Sequence, residues 1–150
     1  MTDNFKQFTS LISGINRSIS RLKSDAVSRF SLKRSHVSVI YFIYCEGGVT
    51  ASRLALLTGE DKANISRTTH SLIEDGLVYE ERRSPRARVR LALTDRGLEI
   101  GEFLYHKVAE IVAQTSGDIP RERLEVMYDC LHIIDKNLRC ATDGHIENKR

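Results

Sequence analysis

Between Thr50 and Leu93 the spacing of apolar residues changes from the three-to-four-residue repeat of a helix to the two-residue repeat of a strand, with Gly59 and Gly76 as punctuation. Few folds accept that order. Thr50 can cap a short helix to Leu57 that packs Leu54 and Ala55, and Thr58-Gly59-Glu60 then interrupts it. A second helix starts at Asp61 or Lys62 and runs to Asp75. Its apolar positions are Ile65, Leu72 and Ile73 with Thr69 beside them, and Gly76 stands where a left-handed C-terminal residue is wanted. Two short helices joined by a tight Gly-containing turn form the helix-turn-helix pattern. Leu77-Val78-Tyr79 then reads as one strand, and Val89, Leu91 and Leu93, alternating with Arg90 and Ala92, as its hairpin partner. The connection, Arg82-Arg83-Ser84-Pro85-Arg86-Ala87-Arg88, carries a Ser-Pro turn signal and enough charge to stay in water.

The flanks are helical. Phe5, Phe8, Leu11, Ile12, Ile15, Ile19 and Leu22 recur at helical steps and define one amphipathic helix to about Arg29. Val37, Ile40, Tyr41 and Tyr44 define another over 35–46, with Ser35 as its expected cap and Gly47-Gly48 as its stop. Thr94 opens a long helix to about Thr115, although Gly97 and Gly101 weaken its start. After Ser116-Gly117-Asp118, Pro120 begins a last helix to about Arg139, with Leu124, Met127, Tyr128, Leu131, Ile134 and Leu138 on its stripe.

The predicted fold is therefore mainly α, a winged helix-turn-helix with a two-stranded β wing, flanked by N- and C-terminal dimerisation helices. The 150 residues are read as a single domain: a winged-helix lobe at 35–96, a helical lobe from 1–34 and 97–140, and a frayed tail at 141–150. A partner subunit is expected to cover the outer stripes of the terminal helices, with Phe5, Phe8, Leu11, Ile12 and Ile15 at one end. Leu124, Tyr128, Leu131, Ile134 and Leu138 play that part at the other.

Charge is uneven. The formal net charge is only +3, but residues 1–34 carry a net +5, and five arginines fall within 82–90 without one acid. Such a cluster repels itself unless a polyanion or nearby carboxylates relieve it. At about 100° per residue, Ala63, Arg67, His70 and Glu74 lie opposite Ile65 and Leu72 on the second short helix, flanked by Asn64 and Ser71. A small, hydrogen-bonding helix start suits the major groove of duplex DNA, where Arg67 can address guanine and Asn64 a base or phosphate. Lys62 and Ser66 are expected on backbone oxygens, His70 on either, and Ser52 on a phosphate or else as a solvated cap. In the wing, Arg86 is placed at a minor groove and Arg82, Arg83 and Arg88 on phosphates, with Arg90 directed outward as the weakest candidate. The opposing reading has Glu80 and Glu81 pairing with these arginines to make an ordinary solvated edge.

Other chemistry is poorly supplied. Cys45, Cys130 and Cys140 form no CxxC, and Cys130 and His132 stand about 200° apart on a helix, so a zinc site with Cys140 and His145 is disfavoured. Cys45 is expected as a small apolar filler rather than a redox sensor. No Gly-rich phosphate loop, GxSxG or HExxH occurs, so no enzyme and no cofactor is predicted. No apolar stretch reaches the ~18 residues of a membrane span and no leader pattern opens the chain, which reads as cytoplasmic. Two rival functions remain: a winged-helix module that binds protein without specific DNA, and a metal- or thiol-responsive sensor.

The stretches TASRLALLTGEDKANISRTTHSLIEDGLVYEERR and VRLALTDRG, within Thr50 to Gly97, resemble the multiple-antibiotic-resistance regulator (MarR) family of bacterial transcription factors. The resemblance implies a homodimer with interlocked first and last helices that binds a pseudo-palindromic double-stranded DNA operator, commonly as a repressor relieved by a small-molecule effector or oxidation. It places the recognition helix on Asp61 to Asp75 and the wing on Arg82 to Arg88. Where family members usually have Asp before the wing arginine, this chain has Pro85 before Arg86.

Overall fold

The computed structural model describes residues 2–82 and 84–147, without the side chains at 2, 3, 25 and 142–147. Its helices are α1 (Thr2–Phe30), α2 (Arg34–Glu46), α3 (Ala51–Thr58), α4 (Lys62–Glu74), α5 (Asp95–Ser116) and α6 (Arg121–Glu147). Its strands are β1 (Val78–Glu81) and β2 (Arg90–Leu93), an antiparallel pair in the register Val78↔Leu93 to Glu81↔Arg90. The order matches the winged helix-turn-helix expected from the apolar periods. The chain divides into two units, Met1–Val108 and Ala109–Arg150.

In the first unit each short element contributes side chains to one core. Ile40 and Ile43 of α2, Leu54 of α3, Ile65 and Leu72 of α4 and Val78 of β1 are almost wholly excluded from solvent. Each such side chain gains about 1.5–3 kcal/mol by leaving water. Thr68 and Thr69 are buried with them, and the Thr69 hydroxyl donates to the Ile65 carbonyl at 2.9 Å, so the helix itself satisfies the polar atom.

Caps set the boundaries. Thr50 accepts from the Arg53 N–H at the start of α3, and Asp61 accepts from the Asn64 N–H at 2.7 Å at the start of α4. Ser35 does not cap α2: it lies inside the helix, and Lys33 holds the capping position without a side-chain bond. Helix α1 stops in a left-handed turn at Ser31, φ 55°, while the Leu32 N–H reaches back to Val27 O at 3.1 Å.

The wing is anchored at its base. Val49 and Leu91 exchange backbone hydrogen bonds of 3.0 and 2.7 Å, which fasten β2 to the α2–α3 link. The Arg90 guanidinium donates to the Gly48 carbonyl, so this half-buried residue braces the wing and does not point outward as its position in the alternation suggested. Thr94 accepts from the Gly97 N–H as the α5 cap and donates to Gly76 O at 2.8 Å.

The two α5 glycines are close-approach positions. A Cβ at Gly97 would stand 2.1 Å from Leu77 O, and one at Gly101 would stand 2.6 Å from the Tyr44 ring. Their helix-weakening cost is the condition for α5 to lie against those groups.

The outer face of α1 is open among the described residues: Phe5, Leu11 and Ile15 are more than half exposed, Ile12 is exposed, and Phe8 is half-buried. In the second unit, Tyr128 and Leu138 of α6 are exposed and Leu124, Leu131 and Ile134 half-buried. Helix α6 continues to Glu147, beyond the 141 at which the sequence suggested fraying; residues 148–150 lie outside the described residues. Among the described residues no helix is long and apolar enough to cross a membrane.

Candidate nucleic-acid interface

Helix α4 presents two chemically distinct faces because Ile65, Leu72 and the two threonines turn inward. Lys62, Ala63, Ser66, Arg67 and His70 are all exposed on the remainder. Asn64 is half-buried, and its side-chain amide donates to the Glu60 carboxylate. That bond commits one amide hydrogen within the turn and limits what Asn64 can offer a base. The partner, Glu60, carries no sequence signal beyond its i, i+4 spacing from Asn64. His70 Nε2 stands 3.4 Å from the Glu74 carboxylate on the exposed face, an ion pair when the imidazole is protonated. Ser52 is exposed in the first turn of α3.

The wing tip is a hydrogen-bonded turn in which the Ala87 N–H donates to Ser84 O at 3.0 Å. Pro85 occupies its second position, where a fixed φ near −65° fits. Arg86 follows at the tip. Arg82, Arg86 and Arg88 are exposed and make no ion pair with the described residues; Arg83 lies outside those residues.

Two titratable groups of α2 are perturbed. Burial, aided by the positive Lys33, holds the His36 imidazole below its ordinary pKa, against the opposing pull of Asp75. Burial and a hydrogen bond with Cys45 push the Tyr41 phenol up to about 12. Cys45 itself is exposed, not the apolar filler its residue type suggested. Cys130, Cys140 and His132 are exposed on α6, the His145 side chain lies outside the described residues, and no group of three His, Cys, Asp or Glu sits together among those described.

A recognition-type helix, an arginine-tipped hairpin and an apolar core shared by both define a winged helix-turn-helix protein. Residues 30–88, the stretch that contains this helix pair, match the MarR family. Through that segment the chain resembles the MarR family, whose members are transcription regulators. Solved structures agree on the fold. The chain is similar to a MarR family regulator from Neisseria meningitidis, with 17% identity, 95% of this chain and 98% of the other covered, and a TM-score of 0.80. It is also similar to a MarR family transcriptional regulator from Listeria monocytogenes complexed with 26mer DNA, at 15% identity, 87% coverage of both chains and a TM-score of 0.73. A third likeness is to CouR from Rhodococcus jostii RHA1 bound to p-coumaroyl-CoA, at 23% identity, 83% and 88% coverage and a TM-score of 0.68. No curated protein sequence matches the chain.

Proposed function

We propose that this protein is a sequence-specific DNA-binding repressor that acts as a homodimer on a pseudo-palindromic operator and is released by a small-molecule effector. The observation that carries the reading is the pair of exposed, unneutralised surfaces: Lys62, Ser66 and Arg67 on α4, and Arg82, Arg86 and Arg88 on the wing. A major groove about 12 Å wide admits a helix, and Arg67 is the residue on it suited to a guanine edge. Arg86 at the wing tip enters or flanks a minor groove while its neighbours hold phosphates. The likeness to a regulator crystallised with 26mer DNA supports this mode, and the likeness to CouR with p-coumaroyl-CoA supports an effector.

Homodimerisation supplies the second recognition helix. The uncovered apolar faces of α1 and α6 favour it, and two-fold symmetry would set half-sites about 34 Å apart or a multiple of that. The absence of a membrane-length helix among the described residues is consistent with a cytoplasmic regulator.

Fluorescence anisotropy with the DNA upstream of the protein's own coding region tests the mode. Arg67→Ala is expected to relax base preference by about 1–3 kcal/mol, and Arg86→Ala to weaken binding to every sequence and flatten the salt slope by about one unit. Unchanged affinity in both variants would exclude it, and retention of a protein partner by DNA-silent protein would favour the interaction-module alternative.

A further inference from the structure

A cleft of about 440 Å³ lies in the first unit, where the end of α1, the turn after α4 and the start of α5 meet. Its size falls in the range of small-molecule sites, roughly 300–1,000 Å³. Buried Leu32, Leu77 and Ile100 make its floor. Around them stand two cations, Arg29 and Arg96, and two carboxylates, Asp75 and Glu99. None of the four forms an ion pair or a side-chain hydrogen bond with the described residues.

The Arg29 guanidinium carbon sits 4.4 Å from the centroid of the Phe103 ring, a cation–π contact that holds the head group in place and spends none of its N–H donors. Arg96 and Glu99 are three residues apart in the first turn of α5 and so stand side by side on its surface. An apolar acid would satisfy the arginines but bring its charge to Asp75 and Glu99. An amine has the converse fault. A molecule with both charges close together and an apolar body meets every wall of the cleft.

We propose that this cleft binds a small zwitterion, an α-amino acid with an apolar side chain. Its carboxylate lies toward Arg29 and Arg96, its ammonium toward Asp75 and Glu99, and its side chain on Leu32, Leu77 and Ile100. Asp75 closes the C-terminal end of α4 and Leu77 leads into β1, so an occupant touches the segment joining recognition helix to wing, and the α1 and α5 helices as well. The consequence for DNA rests on the function proposed above; the binding itself does not.

Titration calorimetry on the full chain without DNA is the test, with L-leucine as the probe. 4-Methylpentanoate lacks the ammonium, isopentylamine lacks the carboxylate, and glycine lacks the side chain. L-leucine is expected to bind, and each of the other three to bind at least tenfold more weakly. Arg96→Gln and Glu99→Gln, both at exposed positions, are each expected to weaken L-leucine at least tenfold without moving the melting temperature. No heat from L-leucine at millimolar concentration, equal binding of any analogue, or indifference to both substitutions would overturn the proposal. Because DNA is absent, a failed operator titration leaves this result standing.

Discussion

Helices α1 and α4 are both amphipathic, yet they treat their apolar residues in opposite ways. Ile65 and Leu72 of α4 have no solvent exposure, whereas Phe5 and Leu11 of α1 keep 58% and 59% of theirs. One helix completes its packing within the chain. The other leaves its stripe exposed among the described residues. Periodicity alone does not separate the two cases, because it reports that a face is apolar and not what lies against it. The comparison also divides the labour of the protein: α4 is held rigidly from behind so that its polar side is free, and α1 is free on its apolar side.

The largest effect should come from breaking the rigid side. Leu72→Ala removes a fully buried side chain and is expected to cost about 2–5 kcal/mol in urea denaturation, at any protein concentration. Leu11→Ala truncates a side chain that the single chain leaves exposed, so the same measurement should detect its cost only where subunits associate. Sedimentation velocity should show the stronger Leu11→Glu variant shifted to monomer. A Leu11→Glu protein that remains dimeric would show that α1 is not the covered face, and would remove the distinction between the helices.

The buried side has a pH signature. His36 is 4% exposed and its Nδ1 has no hydrogen-bond partner among the described residues. With its folded pKa below the ordinary 6.5, the unfolded chain takes up a proton first as the pH falls. Stability is therefore full above about pH 6.5 and declines as pH drops toward the folded value, by at most about 1.4 kcal/mol per pH unit from this one group. Urea midpoints at pH 7.5 and 5.5 should differ less in His36→Leu than in the parent. Equal differences would place the titrating group elsewhere.

The helix-turn-helix was legible because local rules agreed there. Thr50 and Asp61 cap where capping residues are expected, and Gly76 takes the positive φ that its place demanded. What escaped was set by tertiary contact. Gly97 and Gly101 read as helix weakeners because sequence does not show Leu77 O or Tyr44 pressing on them. Arg90 read as outward because alternation in a strand does not reveal that Gly48, far away in sequence, offers a carbonyl to the guanidinium. Asn64 was legible as a polar position on α4 but not as the partner of Glu60. In each case the residue type was visible and its partner was not.

The smallest expected effect concerns the turn between α1 and α2. Ser31 occupies the left-handed position that ends α1, and it is the only non-glycine with positive φ among the described residues. An L side chain there costs about 1–2 kcal/mol, while glycine loses about 0.5–1 kcal/mol more backbone entropy on folding. Ser31→Gly should consequently stabilise the protein by up to about 1 kcal/mol, which for a chain of this size raises the melting temperature by about 2–4 °C. The Leu32-to-Val27 hydrogen bond, which closes the same turn, should be kept. A lower melting temperature would mean that the Ser31 side chain contributes more to the folded turn than its backbone strain takes away.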